Sequence, residues 1–428
     1  MVTTAFIKIW DKLVGAVAWN PDTGTASFEY DPKFDIDKFP VAPLKMPNKG
    51  RIYTFPENRN SDTFKGLPGL IADALPDRYG KDLIDIWLAK NGRPINSLNP
   101  VELLCFIGNR GMGALEFEPT IKANSPDFTL EISSLVETTK QILQQKESKQ
   151  IVSKKITNEV LLDILKMGTS AGGARPKAII AYNEKTGEIR SGQTNATTDF
   201  EYWLIKFDGV NDTQFGTSKG YGRVEMAYHK MATAFGIEMM ECRLIEEQGR
   251  AHFMTKRFDR NNSNQKIHTQ TFCALQHFDY ANISSYSYEQ LFQTMRQLRL
   301  NYKDAEQMYK RMVFNVIAKN CDDHTKNFSF MMNKDGVWKL APAYDICFAY
   351  HPENKWVKQH NLSINGKRDD FTKSDLITIA KQNSIRKPEL IIDECLSITK
   401  TWKKFAKEFD VDKKLSDTIG SLIIKKIT

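Results

Sequence analysis

Apolar and polar residues alternate along residues 5–30, and Asp22-Thr23-Gly24 interrupts the alternation. That pattern predicts a β-hairpin opening a small domain. A 3.6-residue apolar rhythm then predicts helices over 71–79, 81–90 and 100–107, with Asp77 in a turn after Pro76. Gly108-Asn-Arg-Gly-Met-Gly113 reads as a turn and 114–118 as a closing strand. No helix follows that turn directly, so it reads as structural before it reads as a phosphate cradle. From Pro119 the pattern weakens: 119–128 is loop-like, 130–145 amphipathic, and 146–155 a polar, lysine-rich connection. A helix over 157–166 leads into a glycine-rich loop, 168–177, followed by strands over 178–182 and 200–207. A helix over 224–236 and strands over 241–246 and 251–258 complete that region. Beyond Ser284 the chain is mainly helical, over 288–299, 303–319, 373–382, 388–409 and 413–427, with a hairpin over 328–340. The expected class is α+β, in segments 1–118, 119–157 (connecting), 158–260 and 261–428 (mainly helical).

Composition narrows the class only slightly. The 428 residues, 41% hydrophobic and 26% charged, are those of an ordinary globular protein with room for two or three cores. A net charge of +8 suits an anionic ligand such as ATP or nucleic acid, but falls short of a DNA-binding signature. The six cysteines at 105, 242, 273, 321, 347 and 395 have no zinc-knuckle or Cys-x-x-Cys spacing, and predict reduced, mostly buried thiols. Neither a secretory leader nor an eighteen-residue apolar run is present, so a cytoplasmic, non-membrane protein is expected.

The chemistry concentrates in Asn320-Cys-Asp-Asp-His-Thr-Lys-Asn327, with Tyr344-Asp345 downstream. A carboxylate (Asp322), an amide five positions on (Asn327) and a carboxylate beyond a hairpin (Asp345) form the Asp-x-x-x-x-Asn … Asp arrangement of protein kinases. Asp322 would orient and deprotonate a hydroxyl; Asn327 and Asp345 would hold magnesium against nucleotide phosphates. The loop 168–177 has three glycines whose N–H groups could wrap phosphate, but it is not a Walker loop and alone is equally a tight turn. It carries Thr169 and Ser170, where phosphorylation would repel ATP or pull the loop away. Lys206, among apolar strand neighbours, either snorkels or meets an anion; alongside the rest of the set, contact with ATP phosphates is the stronger reading. Glu225 offers an ion-pair partner, or lies on a solvated helix face. A zinc or iron site from Asp323, His324 and His351 or His360 lacks ligand spacing, and Cys321 lacks a nucleophile's supporting constellation. The methionines at 226, 231, 239 and 240 read as core.

In motif order the chain resembles the HipA family of toxin–antitoxin serine/threonine kinases. The resemblance rests on Leu13-Val-Gly-Ala-Val, Ala74-Leu-Pro-Asp77, the 107–113 turn, the 168–177 loop, Leu204-Ile-Lys-Phe207, Arg257-Phe-Asp-Arg260, Asp322-Asp-His-Thr-Lys-Asn-Phe-Ser329 and Leu340-Ala-Pro-Ala-Tyr-Asp-Ile346. It implies a bilobal protein-kinase-like fold with an additional N-terminal α/β subdomain and a mainly helical C-lobe. Asp322 would be catalytic. Gly172, Gly173, Ala174, Arg175, Pro176, Lys177 and Lys206 would contact phosphates, and Lys256, Arg257 and Phe258 the adenine. His324, Thr325, Lys326, Asn327, Tyr344 and Asp345 would contact nucleotide or magnesium, with Asn327 and Asp345 as the metal ligands. Ser170 would be a self-inhibiting autophosphorylation site. The implied partners are a helix-turn-helix antitoxin, operator DNA through that complex, and a protein substrate such as an aminoacyl-tRNA synthetase. The sequence departs from the best-known branch at Lys256, at Arg175-Pro176 and around 268–276. Asp323 stands where the family often has glycine, which makes it a spectator or a local modifier of His324. Rival readings are a co-repressor with little kinase activity and a small-molecule phosphotransferase.

Overall fold

A computed structural model describes residues 2–95, 97–120, 139, 176–192, 199–209, 211–212, 216–217 and 220–428. By internal packing the chain divides into two compact units. One comprises 1–41, 46–222 and 243–269; the other comprises 42–45, 223–242 and 270–428. The glycine-rich loop up to Arg175, with Ser170, Gly172, Gly173 and Ala174, lies outside the described residues, as does 121–166 other than residue 139.

The first unit holds two five-stranded sheets. Strands β1 (Thr4–Ile9), β2 (Lys12–Asn20), β3 (Thr25–Tyr30), β4 (Tyr53–Thr54) and β5 (Leu115–Glu118) pair in the order β4-β3-β2-β1-β5. The β2–β3 register sets Gly15 opposite Tyr30 and Trp19 opposite Ala26, the hairpin that the alternation predicts. A Cβ at Gly15 would lie 2.1 Å from the Glu29 carbonyl oxygen, so only glycine permits this approach. The helix expected over 71–79 is not continuous. A short turn, Gly69–Ala72, stops before Pro76, and Arg78–Lys90 starts afresh with the Asp77 carboxylate accepting from Gly80 N–H. Proline cannot continue a helix, and the carboxylate after it caps the next one. Pro100–Ile107 is capped by Asn99 and fully buried, as its apolar stripe demands.

The second sheet contains β6 (Lys177–Tyr182), β7 (Ile189–Ser191), β8 (Glu201–Lys206), β11 (Cys242–Glu247) and β12 (Arg250–Lys256), in the order β11-β12-β8-β6-β7. A two-residue ribbon, β9 (Asn211–Asp212) with β10 (Gly216–Thr217), interrupts the chain after β8.

In the second unit, helix Tyr302–Ile317 starts on an Asn301 cap and buries Met308, Met312, Val313, Phe314 and Val316. Helix Tyr221–Ala234, which begins in the first unit, supplies Tyr228 and is followed by Phe235; both pack on Phe314, and Tyr228 also meets Trp402. The stretch expected as one helix over 388–409 is two, Pro388–Thr399 and Trp402–Glu408. Trp402 is buried and its indole donates to the Ser416 carbonyl, which fixes the second helix on Lys413–Leu422. A hairpin, Ser329–Met332 with Trp338–Leu340, follows the 320–327 stretch, as expected. Among the described residues no helix is long and apolar enough to cross a membrane. All six cysteines are free, five of them buried and Cys347 half-buried.

Candidate active site

Helix Tyr302–Ile317 delivers the polar stretch 320–327. At Lys319 the backbone turns left-handed, with φ +54°. The strand-like bridge Asn320–Ala349 then fixes the direction, with Cys321 N–H donating to the Ala349 carbonyl at 2.9 Å. Residues 325–327 form a single 3₁₀ turn. That turn brings the Asn327 amide back onto the Asp322 carbonyl, Nδ2 to O 2.7 Å. The Asn327 Oδ1 is thereby left as that side chain's acceptor. Asp322 keeps a partly exposed carboxylate, and His324 Nε2 is 3.8 Å from its Oδ1. Tyr280 lies against the His324 ring at 5.2 Å between centroids and beneath the Lys326 ammonium at 5.1 Å.

Asp345 is placed by a separate set of ties. The buried Arg311 guanidinium holds the Ala341 carbonyl at 2.8 Å, Ala341 N–H reaches Ser329 O, and Ala343 N–H reaches Glu238 O. The Tyr344 hydroxyl donates to the Lys326 carbonyl at 2.6 Å and meets Ser329 Oγ. Asp345 follows at φ +53°, a left-handed conformation uncommon for a side-chain-bearing residue and frequent at functional sites. Burial pulls the Arg311 pKa down to about 10. A small recess is lined by Arg311, Asn315, Asn320, Asp323, Asn327, Tyr344 and Asp345 among others. Asn327 and Asp345 both line this recess. Two protein oxygens suit a magnesium ion, which keeps waters and takes further ligands from phosphates. Among the described residues no group of three or more His, Cys, Asp or Glu side chains is placed to hold a metal.

Asp323 does not face His324. It is buried, and its carboxylate accepts from the Tyr288 hydroxyl (2.9 Å) and Asn361 N–H (2.7 Å) and contacts His360 Nδ1 at 2.8 Å. Burial alone would lower the His360 pKa; the Asp323 charge, with Cys321, outweighs it and pushes it up to about 10. Burial and Asp323 raise the Tyr288 hydroxyl well above its usual range. Tyr288, Arg311, Asn315 and Asn361 were not legible as site residues, and His360 was weighed only as a metal ligand, because nothing in their spacing marks them. Glu225 is buried, not on a solvated helix face.

In the first unit, Lys177 and Lys206 are direct cross-strand partners on β6 and β8. Like charges placed so oppose each other. The buried Lys177 ammonium turns to within 4.0 Å of Asp77 Oδ2, and Lys206 lies 5.7 Å over the Phe253 ring. Such a pair with one carboxylate is a suitable anchor for an anion. Lys256 on β12 pairs with Glu201 on the neighbouring β8. Arg257 N–H is used by the Tyr202 carbonyl, and its side chain is buried against Asp259. Asp259 also accepts from Arg260 and from Gly113 N–H. Burial opposes its ionisation, but both guanidiniums hold its carboxyl well below the usual carboxylate range. The 108–113 turn is therefore tied to the Arg257–Arg260 motif, which supports its structural reading.

Asp322 and Asn327 thus lie on the exit loop of a buried helix, and Asp345 follows the next hairpin, within a mixed α and β fold. The family is HipA: residues 5–118 match the HipA N-terminal domain and residues 169–409 the HipA-like C-terminal domain, and the chain belongs to this family. Its fold is similar to that of Shewanella oneidensis HipA, solved with HipB and operator DNA, at a TM-score of 0.67 and 18% identity, covering 97% of this chain and 94% of that one. A Sinorhizobium fredii (strain NBRC 101917 / NGR234) protein with a provisional kinase description, Y4mE, is 27% identical over 128 residues, a match spanning 27% of this chain and 30% of that protein.

Proposed function

We propose that the chain is an ATP- and magnesium-dependent serine/threonine protein kinase, built as a bilobal kinase-like fold, and the toxin of a toxin–antitoxin pair. The observation that carries this reading is the meeting of Asn327 and Asp345 on one recess while Asn327 ties back to Asp322. Asp322 takes the proton of the acceptor hydroxyl; the hydroxyl oxygen bonds the γ-phosphorus, and ADP leaves with the electrons of the broken P–O bond. Magnesium, when bound, neutralises charge on the phosphates. Lys177, Lys206 and the 172–176 loop residues hold the phosphates, and the Lys256–Phe258 backbone the adenine, with His324 to Lys326 and Tyr344 lining the nucleotide. Family membership supports the toxin role, an antitoxin of helix-turn-helix type that carries the complex to operator DNA, a translation component such as an aminoacyl-tRNA synthetase as substrate, and Ser170 as the autophosphorylated residue.

The test is labelling with γ-³²P-ATP. Wild type transfers label to itself or to a lysate protein, and Asp322→Ala loses about 10²–10⁴-fold in rate, the usual contribution of a positioned base. Equal labelling by both proteins would remove the enzymatic reading. Peptide mass spectrometry of the labelled chain tests Ser170 separately.

A further inference from the structure

Asp322 is flanked by two residues that one buried side chain set fastens in place. The Asp323 carboxylate accepts from Asn361 N–H at 2.7 Å, and the Asn361 amide turns back to donate to the Cys321 carbonyl at 2.9 Å. The residues before and after Asp322 are therefore held by the same residue, while Asn327 holds the carbonyl of Asp322 itself. Behind Asp323, His360 Nδ1 lies at 2.8 Å and the Tyr288 hydroxyl at 2.9 Å. Tyr288 accepts from Asn315 Nδ2 at 3.1 Å, and Asn315 Oδ1 accepts from Asn320 Nδ2 at 2.9 Å. The network thus runs from the delivering helix to both sides of the loop.

A carboxylate and an imidazole with no exposure are an expensive way merely to fill a core. A backbone of fixed geometry at the base is what transfer demands, because small displacements there cost rate steeply. We propose that Asp323, His360 and Asn361 are positioning residues that fix the Asp322 backbone for phosphoryl transfer. This rests on the kinase reading. It assigns no contact with nucleotide to any of the three.

The experiment compares wild type with Asp323→Ala, Asp323→Asn and His360→Gln, reading kcat and KM for ATP together with amide hydrogen exchange over 320–328. Asp323→Ala lowers kcat by about 10²-fold at an unchanged KM, and exchange quickens over 320–328 only. Asp323→Asn, which keeps an oxygen for Asn361 N–H, restores most of that loss. Normal kcat in a folded Asp323→Ala protein overturns the proposal, and so does faster exchange spread over the whole unit. If Asp323→Ala does not fold, Tyr288→Phe, the loss of one hydroxyl, carries the same comparison. An inactive wild type would sink the kinase reading, and this proposal with it; an active wild type with unaffected variants would sink this proposal alone.

Discussion

The Asp323–His360 pair links one residue's protonation to the stability of the second unit. His360 has an ordinary pKa of 6.5, and in the folded chain Asp323 and Cys321 prevail over burial to raise it to about 10. A raised folded-state value stabilises most where both states are protonated, below the unfolded value. The contribution is full below about pH 6.5, declines above it, and is lost as pH passes about 10. The gap in Tm between wild type and His360→Gln therefore narrows from pH 6 to pH 10. Thermal melts across that range check this; a gap that widened with pH would contradict it. The pair also marks where the sequence stopped being readable. Asp322, Asn327 and Asp345 stand at the offsets of a kinase-type set, so the sequence alone suffices to put them forward as candidates. Asp323 looked idle because its partners, His360 and Asn361, are 37 and 38 positions away, a separation set by folding and not by any local rule.

Elements were legible where the apolar rhythm and the punctuation agreed. β2, β3 and Pro100–Ile107 have both, and lie where the pattern puts them. Residues 71–79 and 388–409 keep a helical rhythm through a break, so rhythm alone joins what Pro76 and the 400–401 turn divide. Close backbone approach leaves a different sign, glycine without a turn. Gly222, at the start of Tyr221–Ala234, has no room for a side chain: a Cβ would sit 2.0 Å from the Ala251 carbonyl oxygen of β12. Backbone on one side and sheet on the other leave no flexible group to move aside. Gly222→Ala should therefore destabilise the chain by about 1–3 kcal/mol, the scale of overpacking. Urea unfolding measures it; a midpoint equal to that of wild type would show that the helix start can shift freely.

At the scale of the whole chain, the surroundings of the candidate site are not encoded in one continuous stretch. The compact unit that carries Asp322 also takes in residues 223–242, which lie before the last strands of the other unit in sequence. Tyr228 is the reason that segment matters. It is fully buried, its ring meets Phe314 and Trp402, and its hydroxyl donates to the Ala318 carbonyl at 2.7 Å, just where the delivering helix ends. Glu238 adds two backbone ties, its N–H to Gln307 and its carbonyl to Ala343 N–H, on the approach to Asp345. A fragment of residues 261–428 keeps every motif residue from Asp322 to Asp345 and lacks all of these supports. It should show no cooperative thermal transition by near-ultraviolet circular dichroism. In the full chain, Tyr228→Ala should cost about 3–5 kcal/mol, as for other large buried aromatics, with a further loss from the stranded Ala318 carbonyl. A cooperative melt from 261–428 alone would mean that the helical segment carries its own complete core, and that Tyr228 serves the other parts of the chain more than the loop bearing Asp322.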